Sequence, residues 1–75
     1  MSEEVRKQIN YVVVCINEFA KRNSLSPRVA FTYLYDNKGI HFLKENYDIE
    51  HTLSLDDAID DLEIICRNNG GGGLR

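Results

Sequence analysis

Long apolar runs are missing from this sequence of 75 residues. The most apolar segment, YVVVCI at residues 11–16, has charged residues on both sides and is far shorter than the roughly 18 residues that a membrane-spanning helix requires. The N-terminal residues MSEEVRKQ begin acidic and lack the apolar stretch and small-residue cleavage site of a signal peptide. We therefore expect a cytoplasmic protein with no membrane segment.

Cysteine and histidine are also scarce. Cys15 and Cys66 lie near opposite ends of the chain, and neither belongs to a CxxC pair or to a Cys/His spacing that binds zinc. The calcium-loop pattern D-x-[DN]-x-[DN]-G is absent too. The sequence thus predicts no metal, no cofactor and no disulfide framework, and two thiols buried as small hydrophobic groups. The alternative, a Cys15–Cys66 disulfide, would require packed terminal helices and an oxidising compartment.

The composition, with 43% hydrophobic and 28% charged residues, is typical of one small folded domain. A chain of this length is near the size at which one core is only marginally stabilising. The formal net charge is −3, but residues 1–44 carry an excess of basic groups and residues 45–75 an excess of acidic ones. Such an asymmetry can steer a partner or orient self-association.

An apolar stripe predicts a long first helix over residues 3–22, with Ser2 as its N-cap. Because valine is a mediocre helix former, a strand over the VVVC run at residues 12–15 is the competing interpretation. The helical period on either side of that run favours the helix. The stripe follows spacings of four and three residues and consists of Val5, Ile9, Val12, Ile16 and Phe19.

The second predicted helix begins at the Ser26 cap and Pro27, has Ala30, Tyr33 and Leu34 on its inner face, and ends near Asn37. Gly39 is expected to supply the left-handed residue of the following turn. A short third helix covers IHFLKENY at residues 40–47, with Ile40, Leu43 and Tyr47 on one face.

A fourth helix is predicted to start at the Ser54 cap, with Asp57 completing a capping box. Its buried stripe would contain Leu55, Ala58, Ile59, Leu62 and Cys66. With no credible strand, we predict an all-α fold, a small irregular or orthogonal bundle of about four helices over residues 1–68. Residues 69–75, which include four consecutive glycines, are predicted to be a flexible tail.

Eight carboxylates crowd into residues 45–63, ENYDIEHTLSLDDAIDDLE. On the fourth predicted helix the acidic and apolar residues occupy different faces, so an ordinary solvated face is sufficient to explain them. Like charges four residues apart nevertheless cost a few tenths of a kcal/mol per pair, which suggests that the face is kept acidic for a partner protein. The candidate partner-binding residues are Asp56, Asp57, Asp60 and Asp61, together with Tyr47 and His51.

Tyr47 and His51 lie four residues apart at the joint before the fourth helix. In the structural interpretation, the Tyr47 ring packs on the core while His51 hydrogen-bonds a helix end or a carboxylate. In the functional interpretation the joint belongs to a recognition surface. No catalytic pair is predicted, because a small helical domain rarely forms a cleft and Cys15 lies in the most apolar run of the chain.

A nucleic-acid-binding regulator is the alternative function. Lys21, Arg22 and Arg28 surround the turn NSLSP, and small helical domains often bind DNA through a helix–turn–helix. The acidic balance, with a pI near 5.2, and the missing basic stripe along the second helix argue against it.

Residues 10–68 resemble a family of short bacterial domains of unknown function. The most specific part is the segment FLKENYDIEHTLSLDDAIDD, in which Tyr47, His51, Ser54 and Asp61 match the family pattern. The resemblance implies a small helical protein without known enzymatic activity. It also implies an antitoxin or accessory role, because some members are encoded beside proteins that look like ADP-ribosyltransferase toxins. The glycine run of this chain is longer than the family pattern, so no role for the tail follows.

The function predicted from these observations is a non-catalytic protein-interaction module, an antitoxin-like partner of a toxin-like enzyme. Self-association is a separate prediction. The first helix has apolar groups on more than one face, with Tyr11, Val14 and Cys15 lying beyond its stripe. A chain this short has too few other helices to cover all of them, so we predict a homodimer through the first helix.

Overall fold

Five α-helices and no strand make up residues 2–71, the part of the chain that the computed structural model describes. In chain order they are α1 (Glu3–Arg22), α2 (Pro27–Asp36), α3 (Gly39–Glu45), α4 (Tyr47–Glu50) and α5 (Leu55–Asn68). The predicted all-α fold is confirmed. None of the helices between residues 2 and 71 combines the length and apolar character needed to cross a membrane.

Serine caps set the starts of three helices. The hydroxyls of Ser2, Ser26 and Ser54 each accept a hydrogen bond from the backbone N–H three residues later, at 3.1–3.2 Å. Pro27 occupies the first position of α2, where its missing N–H leaves no bond unmade. Each such cap typically contributes about 1 kcal/mol, and all three lie where the sequence predicts them.

Asparagine side chains close four helices in the same way. The amide of each donates to the carbonyl oxygen four residues earlier, at 2.8–3.1 Å, and so adds a second hydrogen bond to a carbonyl that already accepts the backbone N–H of the same asparagine. These residues are Asn23 after α1, Asn37 after α2, Asn46 after α3 and Asn69 after α5.

The predicted third helix is wrong in extent, because Asn46 divides it. The Asn46 backbone leaves the helical region, and both its N–H and its side-chain amide bond to the Phe42 carbonyl. Tyr47 therefore does not continue the face of Ile40 and Leu43. It begins α4, a helix of four residues.

The left-handed residue of the turn before α3 is Lys38, with φ 69°, and not the predicted Gly39. Gly39 is instead the first, buried residue of α3. A Cβ at this position would lie 2.9 Å from the Leu34 side chain and 3.1 Å from the Cys66 sulfur. Close helix packing, rather than a positive φ, is what requires glycine there.

The core lies between α1, α2, α3 and α5. Both cysteines are buried in it as free thiols, as predicted. The predicted buried stripe of the last helix is also confirmed, since Leu55 packs against the core and the other four positions are buried. The core cluster consists of Cys15, Ile16, Phe19, Ala20, Ala30, Leu34, Leu43, Ile59, Leu62 and Cys66.

Only the C-terminal half of α1 joins that core, so the predicted continuous stripe is wrong in its N-terminal half. Ile16 and Phe19 are buried, whereas Val5 and Ile9 are 45% and 46% exposed. A helix of 20 residues is about 30 Å long, more than the shorter helices beside it can cover. Cys15, predicted to lie beyond the stripe, is fully buried.

The chain beyond α5 continues to pack as far as Gly71, which is buried and donates its N–H to the Cys66 carbonyl at 2.8 Å. A Cβ on Gly71 would lie 2.7 Å from that carbonyl oxygen. Residues 72–75, most of the predicted flexible tail, lie outside the described residues. The domain boundary at residue 68 stays a prediction.

Candidate functional site

Arg22, at the end of α1, lies against the acidic face of α5. Its Nη1 is 2.5 Å from the Asp60 carboxylate and 3.6 Å from that of Glu63, while its Nη2 is 3.6 Å from the Asp56 carboxylate. Nη2 also donates to the Asp56 carbonyl at 3.2 Å. The hydrogen bond to Asp60, together with the three negative charges, raises the pKa of Arg22. The Asp56 and Asp60 side chains are largely exposed, and those of Arg22 and Glu63 are about 30% exposed, so solvent screens each pair and it contributes at most about 1 kcal/mol.

The four candidate aspartates of α5 therefore do not form one free surface. Asp56 and Asp60 face the Arg22 guanidinium. Asp57 is exposed, and its backbone N–H is bound by the Ser54 cap. Asp61 is half-buried and faces α4. That these residues bind a partner stays a prediction.

The basic residues of the nucleic-acid alternative are also separated. Lys21 Nζ pairs with Glu18 at 3.4 Å on its own helix, Arg22 is engaged by α5, and Arg28 is exposed at the second position of α2. A phosphate contact by Arg22 would have to compete with three carboxylates. This arrangement does not favour the alternative.

Three aromatic rings form a column between α1 and the end of α4. The His51 ring stacks on Tyr47 with centroids 4.4 Å apart and an interplanar angle of 8°, and the Tyr47 and Tyr11 rings form a T-shaped pair with centroids 5.5 Å apart and an angle of 76°. His51 Nδ1 lies 2.6 Å from the Tyr47 carbonyl, to which it donates when it carries the proton. His51 is exposed and Tyr47 half-buried. These contacts support the structural interpretation, in which His51 closes a helix end.

Glu50, which the sequence analysis did not single out, is the buried carboxyl of the molecule's described part. It is 4% exposed, and its Oε1 has no hydrogen-bond partner among residues 2–71. Burial, and then the neighbouring carboxylate of Asp61, raise the pKa of Glu50 to about 7. A carboxyl with this pKa is protonated at acid pH and loses its proton as the pH rises through neutrality.

The Tyr11 hydroxyl belongs to the same cluster. Like Glu50 Oε1, it is buried with no hydrogen-bond partner in the described chain, and the Cys15 thiol beside it falls short of hydrogen-bond geometry. Burial raises the pKa of Tyr11, and the neighbouring Cys15, Glu50 and Asp61 raise it further. We name Tyr11, Glu50 and Asp61 the carboxyl cluster.

Chemical reactivity is low in this arrangement. Burial raises the pKa of Cys15, and it raises that of Cys66 to about 11, so both groups remain protonated thiols at neutral pH. Between residues 2 and 71, no three His, Cys, Asp or Glu side chains are placed to hold a metal ion.

No signal in the sequence distinguishes Glu50 from its seven acidic neighbours in residues 45–63. Hydropathy predicts that Ile49 is buried and Glu50 is exposed. The structure has the reverse, since Ile49 is 64% exposed while Glu50 is buried. The break at Asn46 changes which residues of the following turn face inward. A prediction of one continuous helix does not include the break, and therefore cannot predict which residues after it face inward.

A shallow groove with two lysines in its lining lies at the start of α3. It measures about 450 Å³ and is lined by Tyr35, Lys38, Ile40, His41 and Lys44. The Glu45 carboxylate lies 3.6 Å from His41 Nε2 at its edge. Its walls are mainly long exposed side chains, so it is not preorganised for an anion.

An apolar stripe on the N-terminal half of α1 is left uncovered within the described chain. Val5, Ile9 and Val13 recur every four residues and are each 45–48% exposed. We name them the α1 stripe. Apolar groups recurring along one side of a projecting helix are typical of an interaction surface.

Comparison with known families agrees with the resemblance described above in its general form. Residues 10–69 match the model of a family described as "Protein of unknown function (DUF3791)". The match covers most of the chain, which therefore belongs to this family. No curated protein and no solved structure matches it.

Proposed function

We propose that this member of the family is a non-catalytic protein-interaction module that forms a homodimer through α1. The observation that supports it is the α1 stripe, three aliphatic side chains that the chain's own helices leave about half exposed. An isolated apolar side chain on a surface is ordinary, but a row along two turns of one helix is not.

A second copy is the simplest cover for this stripe. In a two-fold dimer whose axis runs along α1, the α1 helices of the two protomers lie parallel, and the same apolar residues contact their own copies. The polar neighbours of the stripe, Glu3, Glu4, Arg6 and Lys7, carry both signs and can pair across such an interface. A domain of this size also gains apolar burial that it cannot obtain alone.

Sedimentation equilibrium tests the dimer. The wild-type chain should sediment at twice 8.6 kDa at about 100 μM, and Ile9→Glu should sediment as the monomer. Ile64→Glu is the matched control, because Ile64 on α5 is equally exposed, at 49%, and lies on another helix. Circular dichroism should show both variants folded. A monomeric wild type at that concentration would refute the dimer.

We propose further that the module binds a toxin-like enzyme of the ADP-ribosyltransferase type. The family resemblance and the acidic character of α5 support this partner. Asp57 is the aspartate to test, because it is exposed and its carboxylate is not engaged by Arg22. Asp57→Lys should abolish co-purification with such an enzyme encoded beside this gene, while Asp36→Lys, which changes an exposed acid on α2, should not. Equal capture by both variants would contradict the proposal.

A further inference from the structure

The carboxyl cluster contains buried polar groups without hydrogen-bond partners in the part of the chain that the structure describes, and the proposed function does not involve them. Two buried polar atoms, Glu50 Oε1 and the Tyr11 hydroxyl, lack hydrogen-bond partners in residues 2–71. Buried groups of this kind are almost always satisfied in native proteins. Both lie where α4 meets α1 and α5, so the anomaly is confined to one junction.

Electrostatics makes the junction sensitive to protonation. Tyr11 and Cys15 face Glu50 from α1, and Asp61 faces it from α5. All of these are acids, and no cation among the described residues pairs with Glu50, whereas Asp60 on the neighbouring side of α5 is held by Arg22. The neighbouring Asp61 carboxylate can accept a hydrogen bond from a protonated Glu50. An ionised Glu50 would place two carboxylates together in a site from which water is largely excluded.

The helix that carries Glu50 has little else to hold it. α4 has four residues, and Ile49, its aliphatic residue, points to solvent. Its half-buried Tyr47 makes a T-shaped contact with Tyr11 and is covered by His51. Backbone bonds from Glu50, His51 and Thr52 to the carbonyls of residues 46, 47 and 49 are local and do not tie α4 to the other helices.

We propose that the Glu50–Asp61 pair is a protonation-dependent latch, which holds α4 and the Tyr47–His51 joint against α1 and α5 while Glu50 carries its proton and releases them when it ionises. The direction of the effect follows from linkage. The folded state binds the proton more tightly than the released state, so the latch is closed at acid pH and opens as the pH rises through neutrality. The surface that this joint presents then depends on pH.

Amide hydrogen exchange, corrected for the intrinsic effect of pH, tests the latch on the full chain. In the wild type, the protection of the Glu50, His51 and Thr52 amides should fall about tenfold between about pH 6 and about pH 8, relative to the amides of α5. Glu50→Gln keeps the neutral shape and should abolish the difference. Asp48→Asn, which removes an exposed carboxyl from the same helix, should leave it intact.

A second measurement is independent of the variants. The Glu50 carboxyl carbon, followed by NMR in the wild type, should titrate well above the midpoint of an exposed glutamate. A midpoint at the ordinary glutamate value would overturn the proposal. So would protection that falls equally in Glu50→Gln, or that falls by the same factor throughout α1 and α5, since the loss would then be global unfolding rather than release of α4.

Discussion

Asp60 and Asp61 are neighbours in the sequence and opposites in the structure. Asp60 is exposed and bound by the Arg22 guanidinium, whereas Asp61 is half-buried and faces a second carboxyl, that of Glu50. One residue along a helix turns the side chain by about 100°, which is enough to exchange a cation for an acid as the neighbour. The charges in a sequence therefore give the number of ionisable groups on a helix, but not which partner each group faces.

The largest effect expected from this comparison is on the Asp61 side of α5. There, the titration of Glu50 should make the free energy of unfolding depend on pH. Because the pKa of Glu50 rises from its ordinary value to about 7 on folding, its contribution is complete at acid pH and is lost as the pH rises through 7. The loss between about pH 5 and about pH 8 should be about 2 kcal/mol in urea unfolding. In the Glu50→Gln variant this pH-dependent loss of stability should vanish. A stability that rises over the same range would contradict the assignment.

A smaller effect of opposite sign is expected from removing the acid that faces Glu50. Asp61→Asn replaces a repelling carboxylate by an amide that can donate to an ionised Glu50, and should stabilise the protein by about 1 kcal/mol at about pH 8. At acid pH, where Glu50 is protonated, the gain should disappear. Asp57→Asn, one turn earlier on α5, is the matched control and should change stability equally little at both pH values.

The smallest effect is expected on the Asp60 side. Arg22→Gln removes a guanidinium shared by two exposed carboxylates and the half-buried one of Glu63, and should cost about 0.5–1 kcal/mol at low salt and less in about 1 M salt. Arg28→Gln removes an exposed arginine that lies on α2, and should be close to neutral. A cost for Arg22→Gln that does not change with salt would show that its packing, not its charge, matters.

Local signals in the sequence are sufficient to predict most of the fold. The serine caps and Pro27 act through their immediate neighbours, and the structure has α1, α2 and the last helix where these signals place them. The buried face of the last helix follows from its period alone. Such features depend on a few consecutive residues, which is why a single sequence reveals them.

The errors, apart from the end of α3 at Asn46, concern features that depend on distant residues. Asn46 ends α3, although the same residue type could have continued a polar helix face. Gly39 is needed because Leu34 and Cys66 approach it, not because of its own φ. The burial of Glu50 and the engagement of Arg22 depend on how α1, α4 and α5 pack together. None of these can be obtained from periodicity, which contains no information about which helices meet.

The uncovered half of α1 also determines where the unfolding of the molecule should begin. Every residue from position 2 to 10 is exposed except the half-buried Gln8, so these turns receive little support from the core. An isolated helix shorter than about 12 residues is only marginally populated in water. In a lone protomer, the first turns of α1 should therefore fray well before the cooperative unfolding of the body, and a protease should cut there first. The cooperative unit of this protein then begins inside its longest helix, near the point where Cys15 enters the core.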